Sequence, residues 1–216
     1  MYKTQQTAEY GFLEETFNSI THGIGALTSI AGLVLLIVFS SIYGSTSHII
    51  SCTIFGVTLV LLYTASTLYH SFQKPNIKQF FKILDHSCSY VLIAGTYTPF
   101  MLVTLRGFLG WTIFAAVWFM ALAGILFKVF FVHRFQIIST IAYVAMGWII
   151  VLAIKPLFQT LQSGGIIWLI CGGLAYTLGV IFYAWKKLPF NHAIWHLFVL
   201  TGSTCHFFAV LFYVVP

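Results

Sequence analysis

Seven stretches of this chain are long and apolar enough to cross a bilayer, and that limits the fold to one kind. They fall at about 19–42, 49–71, 86–105, 109–127, 135–154, 166–185 and 192–214. A helix needs roughly 20 apolar residues to traverse the hydrocarbon. Inside lipid each segment must pair its own backbone polar groups, so the stretches are expected to be helices. Composition agrees. Hydrophobic residues make up 60% of the 216 and charged residues only 6%, too little charge to cover a soluble domain. The expectation is an all-α polytopic membrane protein, a seven-transmembrane-helix bundle.

The connections, among them "YGSTSH", "LRGF", "KVFFVHR" and "KKLPFN", are too short for a further domain. Residues 1–216 are therefore expected to form one domain, with 1–18 as a cytoplasmic N-terminal segment. The polar opening "MYKTQQTAEYGFLEET" shows no pattern of a cleaved signal peptide. Four cysteines, Cys52, Cys88, Cys171 and Cys205, are scattered through apolar segments without a CxxC pair, so plain buried thiols are expected.

The net charge of +6 would suggest an anionic partner in a soluble protein; here it is expected to mark loops rather than nucleic acid. Lys3, Lys74, Lys78, Lys82, Lys128, Arg134, Lys186 and Lys187 fall on the side that holds the N-terminus. Only Arg106 and Lys155 fall on the other. The positive-inside bias puts the N-terminus in the cytoplasm and the C-terminus outside.

That orientation brings polar residues from three helices to one depth. The second span ends on the basic side with Ser66 and His70, the third begins there with Asp85 and His86, and the seventh with His192 and His196. Residues four apart share a helix face, which lets His192 and His196 offer two imidazoles to one ion. Ser66 and His70 share that spacing, as do Asp85 and Ser89, with Thr96 close to the latter face. An ionisable residue inside a membrane is a functional hypothesis by default. Asp85, the one acidic residue beyond the N-terminal segment, is assigned His70, His192 and His196 as partners through a shared metal. Interhelical hydrogen bonding is the plainer reading of the same histidines. If a metal is held, three imidazoles with a fourth position open to water suit catalytic zinc, and Asp85 is the natural base.

Around this set, His22 and Asn18 are candidates to support the ligands or simply to pack helices. His206 lies too far along its helix for the same ion but points into the same cavity, where it is expected to make an interhelical hydrogen bond or, as the alternative, to orient a lipid head group. His48, His86 and His133 read as solvated or interfacial.

The motifs "EETFNSITHGIG", "STLYH", "ILDHSCSYVLIAGTYTPF" and "HAIWHLFVLTGSTCHFF" together resemble those of the hemolysin III family. That family is the bacterial branch of the PAQR (progestin and adipoQ receptor) superfamily. The resemblance runs from about Glu15 to Tyr213. It implies seven helices with the N-terminus inside and an intramembrane zinc near the cytoplasmic face. His70, His192 and His196 match the ligands, Asp85 the aspartate near the metal's water, and Ser66 the serine of the second helix. Eukaryotic members resemble lipid amidases that hydrolyse ceramide. Bacterial members are linked to red-cell lysis or to membrane-lipid homeostasis.

Two functions are therefore expected to compete: a zinc-dependent hydrolase of lipid amides or esters in the bacterial plasma membrane, and a lytic or lipid-sensing protein with structural zinc. A proton-coupled transporter ranks behind both, because its relay would stagger the titratable groups in depth. Membrane lipid is the expected partner.

Overall fold

The computed structural model describes residues 11–216, and all its secondary structure is helical. Seven helices are long and apolar enough to span a membrane: α1 (Phe12–Tyr43), α2 (Thr46–Ser71), α3 (Pro75–Leu105), α4 (Gly107–Phe131), α5 (Gln136–Thr160), α6 (Ser163–Ala184) and α7 (Asn191–Tyr213). Large apolar side chains such as Leu27, Phe119, Leu122, Leu152 and Ile167 point outward along the spans. In water such a surface would drive aggregation; in a bilayer it is the lipid-facing surface.

Several helices are longer than their hydropathy suggests. α1 starts at Phe12 rather than near residue 19, so residues expected in the N-terminal segment are helical. α3 starts at Pro75, and most of the expected loop "QKPNIKQFFKILD" is its first three turns. Proline suits the first helical position, where no backbone donor is needed, while Lys78 and Lys82 hid the helix from a hydropathy scan. α5 runs on to Thr160, beyond the expected 154. Two spans also depart from ideal α geometry. Pro99 lacks an N–H and crowds the preceding turn, and α3 continues from Phe100 to Leu105 as a π-helix. α5 tightens to a 3₁₀ turn over Trp148–Ala153.

The most extensive helix contacts are α1 on α2, α2 on α3, and α6 on α7, while α1 also meets α7. α5 is the loosest wall, touching α3 and α6 at few points. Together these six helices ring an internal cavity, and α4 packs chiefly on the outside of α3. Small residues set the close crossings, as expected where lipid offers no hydrophobic drive between helices. At Gly56 a Cβ would lie 2.6 Å from Leu33 Cδ1 and 3.1 Å from its Cα, so α1 and α2 meet almost backbone to backbone. Gly56→Val is expected to cost about 1–3 kcal/mol by overpacking, read as a lower melting midpoint in detergent.

Candidate metal centre and cavity

The seventh helix brings its paired histidines to the site through a local turn. Phe190 adopts a left-handed conformation (φ 56°) immediately before α7. Asn191 then donates its side-chain amide to the carbonyls of Phe182 and Tyr183, at 3.2 and 3.1 Å, closing the end of α6. The backbone N–H of His192 is met by the Glu14 carboxylate from α1, an anion at a helix N-terminus. The first turn of α7 is thereby fixed to α6 on one side and α1 on the other.

His192 and His196 are buried on one face of that turn, and His70 of α2 comes alongside. The ring centroids lie 4.6 Å apart for His192 and His196, and 5.1 Å from each to His70. Each imidazole offers one nitrogen, and the three nitrogens lie within 4.8 Å of one another. Among the described residues this is the one group of three or more such side chains close enough for a metal.

The surrounding hydrogen bonds orient the rings for that task. His70 Nδ1 lies 2.5 Å from Glu15 Oε2, and Lys78 Nζ lies 2.7 Å from Glu15 Oε1. His196 Nδ1 lies 3.3 Å from the Asn18 carbonyl. A carboxylate and a carbonyl can only accept, so both Nδ1 atoms carry protons and each Nε2 keeps its lone pair. Carboxylate or carbonyl partners of this kind are what metal-bound histidines commonly have behind them. The donor chemistry fits a divalent cation such as zinc, which takes neutral imidazole nitrogens.

The other expected site residues lie around this group. Ser66, one turn before His70, donates to the Asp85 carboxylate. His22 Nδ1 is 2.7 Å from Ser66 Oγ; with the serine proton on Asp85, His22 is the donor to that oxygen. The His22 ring also stacks on His196, with centroids 3.5 Å apart and planes 8° from parallel. Asn18 is fully buried and serves mainly through its carbonyl, because its side-chain amide stays 3.5 Å from His70 Nδ1. His206 lines the same cavity well away from the three imidazoles.

Several participants were not expected. Glu14 and Glu15 belonged to the supposed tail, yet both face the site. The signal was a polar and small-residue stripe, Glu15, Asn18, His22, Gly25, Ser29 and Gly32, at three- and four-residue steps along α1, all buried. Lys82 and Lys128, expected among the loop charges, are buried in α3 and α4, and both charges act on Asp85. His48 is not solvated either. Its Nδ1 accepts from the Ser45 backbone N–H at 3.0 Å, inside a capping box that opens α2. His86 lines the cavity beside Asp85, whereas His133 is exposed and bonds Gln79. All four cysteines are free thiols.

The cavity has a volume of about 250 Å³. Asp85, His192 and His196 stand at the basic end of the bundle. From there its wall continues along Ser89, Thr96 and Tyr97 of α3 to Leu157 of α5 and Ile166 of α6. A hydrophilic end and a long apolar wall suit a ligand with a polar reacting group and a hydrocarbon chain.

The profile of a family described as "Haemolysin-III related" matches residues 10–207. The chain belongs to the haemolysin III family. It is 56% identical over 203 residues to "Hemolysin-3" of Bacillus cereus, covering 94% of this chain and 93% of that protein. It is 55% identical to the "Hemolysin-3 homolog" of Bacillus subtilis (strain 168), covering 94% and 95%. A more distant relative, human "Monocyte to macrophage differentiation factor", is 30% identical, covering 91% of this chain and 83% of that one. This haemolysin III protein is thus a multi-pass integral membrane protein whose buried His70, His192 and His196 are grouped as a metal would need them.

Proposed function

We propose that this haemolysin III protein is a zinc-dependent hydrolase of lipid amide or ester bonds, acting in the bacterial plasma membrane and serving membrane-lipid homeostasis. The observation that carries the reading is the joining of the three-histidine group to a buried carboxylate, Asp85, and a largely apolar cavity. His70, His192 and His196 would hold the ion. Zinc there would supply Lewis acidity toward a carbonyl and make water a stronger acid. Asp85 takes the proton from the attacking water and later returns one to the leaving group. Ser66, bonded to both Asp85 and His22, orients that carboxylate. The cavity wall holds the acyl chain and keeps bulk water from the reacting bond.

Glu15 supports the site from behind, by fixing the tautomer of His70. Glu15→Gln is expected to weaken zinc affinity by roughly 10–100-fold, measured by competition with a chromogenic chelator. Unchanged affinity would mean that Glu15 only packs α1 against α2.

The reading is tested by the lipid profile of membranes expressing wild-type protein or Asp85→Ala. Wild type is expected to deplete an acylated lipid and release its fatty acid, with neither change in the variant. Identical profiles alongside retained zinc would favour a lipid sensor. The names of the two Bacillus relatives carry a second reading, membrane lysis. Liposome leakage that persists in Asp85→Ala and survives chelation would favour it over hydrolysis.

A further inference from the structure

The cavity is long as well as apolar, and its length can be read from the helices that line it. On α6 the lining residues, Ile166, Leu169, Gly173, Thr177, Val180 and Tyr183 among them, recur at three- and four-residue steps, so one face of the helix looks inward along most of its length. Contacts with α7 fix the register. Gly179 packs on Trp195 and Phe198, Gly172 on Gly202 and His206, and Gly165 on Tyr213. Ile166, the lining residue of α6 farthest from the metal group, is therefore near the level of Leu211, about 22 Å beyond His196 at the helical rise. α3 agrees. Its first and last lining residues, Asp85 and Phe100, are also separated by about 22 Å along the axis.

The end opposite the metal group is closed. Phe100, Leu157 and Ile166, the last lining residues of α3, α5 and α6, are buried. Behind Ile166, the side chains of Leu161 and Tyr213 close on Gly165. An extended hydrocarbon chain advances about 1.25 Å per carbon, from bonds of about 1.52 Å at angles of about 111°. The passage therefore matches a chain of about 16–18 carbons.

Gly173 stands midway along it. The neighbouring Gly172 is bare because the His206 ring occupies the place of a Cβ, but a Cβ at Gly173 would meet nothing within 4 Å. Nor does Gly173 have a positive φ. Neither helix packing nor backbone conformation calls for glycine at this position, and glycine inside a helix is less favourable than alanine. What the missing side chain supplies is width in the middle of the passage.

We propose that the cavity gauges acyl-chain length and selects a chain of about 16–18 carbons, with Ile166 setting the floor and Gly173 keeping the middle open. The inference rests on the reading above that the cavity takes the acyl chain, and it narrows the substrate class to long-chain lipids. A shorter chain leaves apolar wall uncovered, and a longer one presses on the floor. In a hydrophobic pocket one methylene too many or too few is worth about 10–200-fold.

The test supplies the purified full-length chain with zinc and an equimolar mixture of saturated fatty acids of graded length. These are the expected products, so turnover does not consume them. The protein is re-isolated and the bound acids are identified by mass spectrometry. Variants are compared with wild type at each length, so the general gain in apolar binding with every added carbon cancels. Wild type is expected to retain chains of about 16–18 carbons at least tenfold over those two carbons longer. Gly173→Leu fills the passage about 10 Å beyond His196 and should move the preferred length down to about 8–10 carbons. Ile166→Ala lowers the floor and should move it up by about two carbons. General damage to the fold would weaken all lengths alike and could not shift the maximum in opposite directions. A wild-type profile without a maximum or with one well away from that length, or variants that keep the wild-type profile, overturns the inference and leaves the hydrolase reading standing. Should Gly173→Leu not fold, the wild-type maximum and Ile166→Ala still decide. If wild type retains none of the acids, the acyl-chain reading itself falls and takes the inference with it.

Discussion

Asp85→Asn is expected to lower hydrolysis of a lipid amide or ester by about 10²–10⁴-fold, the usual contribution of a positioned general base. The amide is nearly isosteric and still accepts the Ser66 hydrogen bond, so the structural effect should be small. What it loses is the ability to take a proton from water. Because Asp85 is outside the three-histidine group, bound zinc should be unchanged. Turnover and metal content measured on the same preparation separate the two effects. A fall in zinc parallel to activity would instead make Asp85 a ligand or a support of one.

His196→Ala is expected to have the opposite signature, with metal lost and activity lost together. Two further consequences follow from its surroundings. The His22 ring loses the surface on which it stacks, and the Asn18 carbonyl loses its link to α7 while keeping the Thr21 hydroxyl as donor. Truncating the buried, stacked ring leaves a cavity, so the variant should also melt lower than wild type even after both are stripped of metal. Equal melting midpoints of the stripped proteins would show that the α1–α7 contact does not depend on this histidine.

The fold was largely legible in the sequence because hydropathy reads helices that lipid surrounds. It failed where a helix leaves the apolar zone: the start of α3 carries Lys78 and Lys82, and the start of α1 carries Glu14 and Glu15. Charged residues there looked like loop and tail, although at a helix end they can turn inward. The three histidines and Asp85 were legible because spacing and chain direction place them at one depth. Ser66, His22 and Asn18 were legible as candidates around them, but Glu15 was not, since its pairing with His70 depends on how α1 packs against α2.

The most direct test of the central claim is metal analysis of the purified wild-type chain, before and after chelation. One zinc per chain is predicted, absent from both His192→Ala and His196→Ala, with turnover abolished by chelation and restored by added zinc. Wild-type protein that holds no stoichiometric metal, or turnover that chelation does not touch, would contradict it.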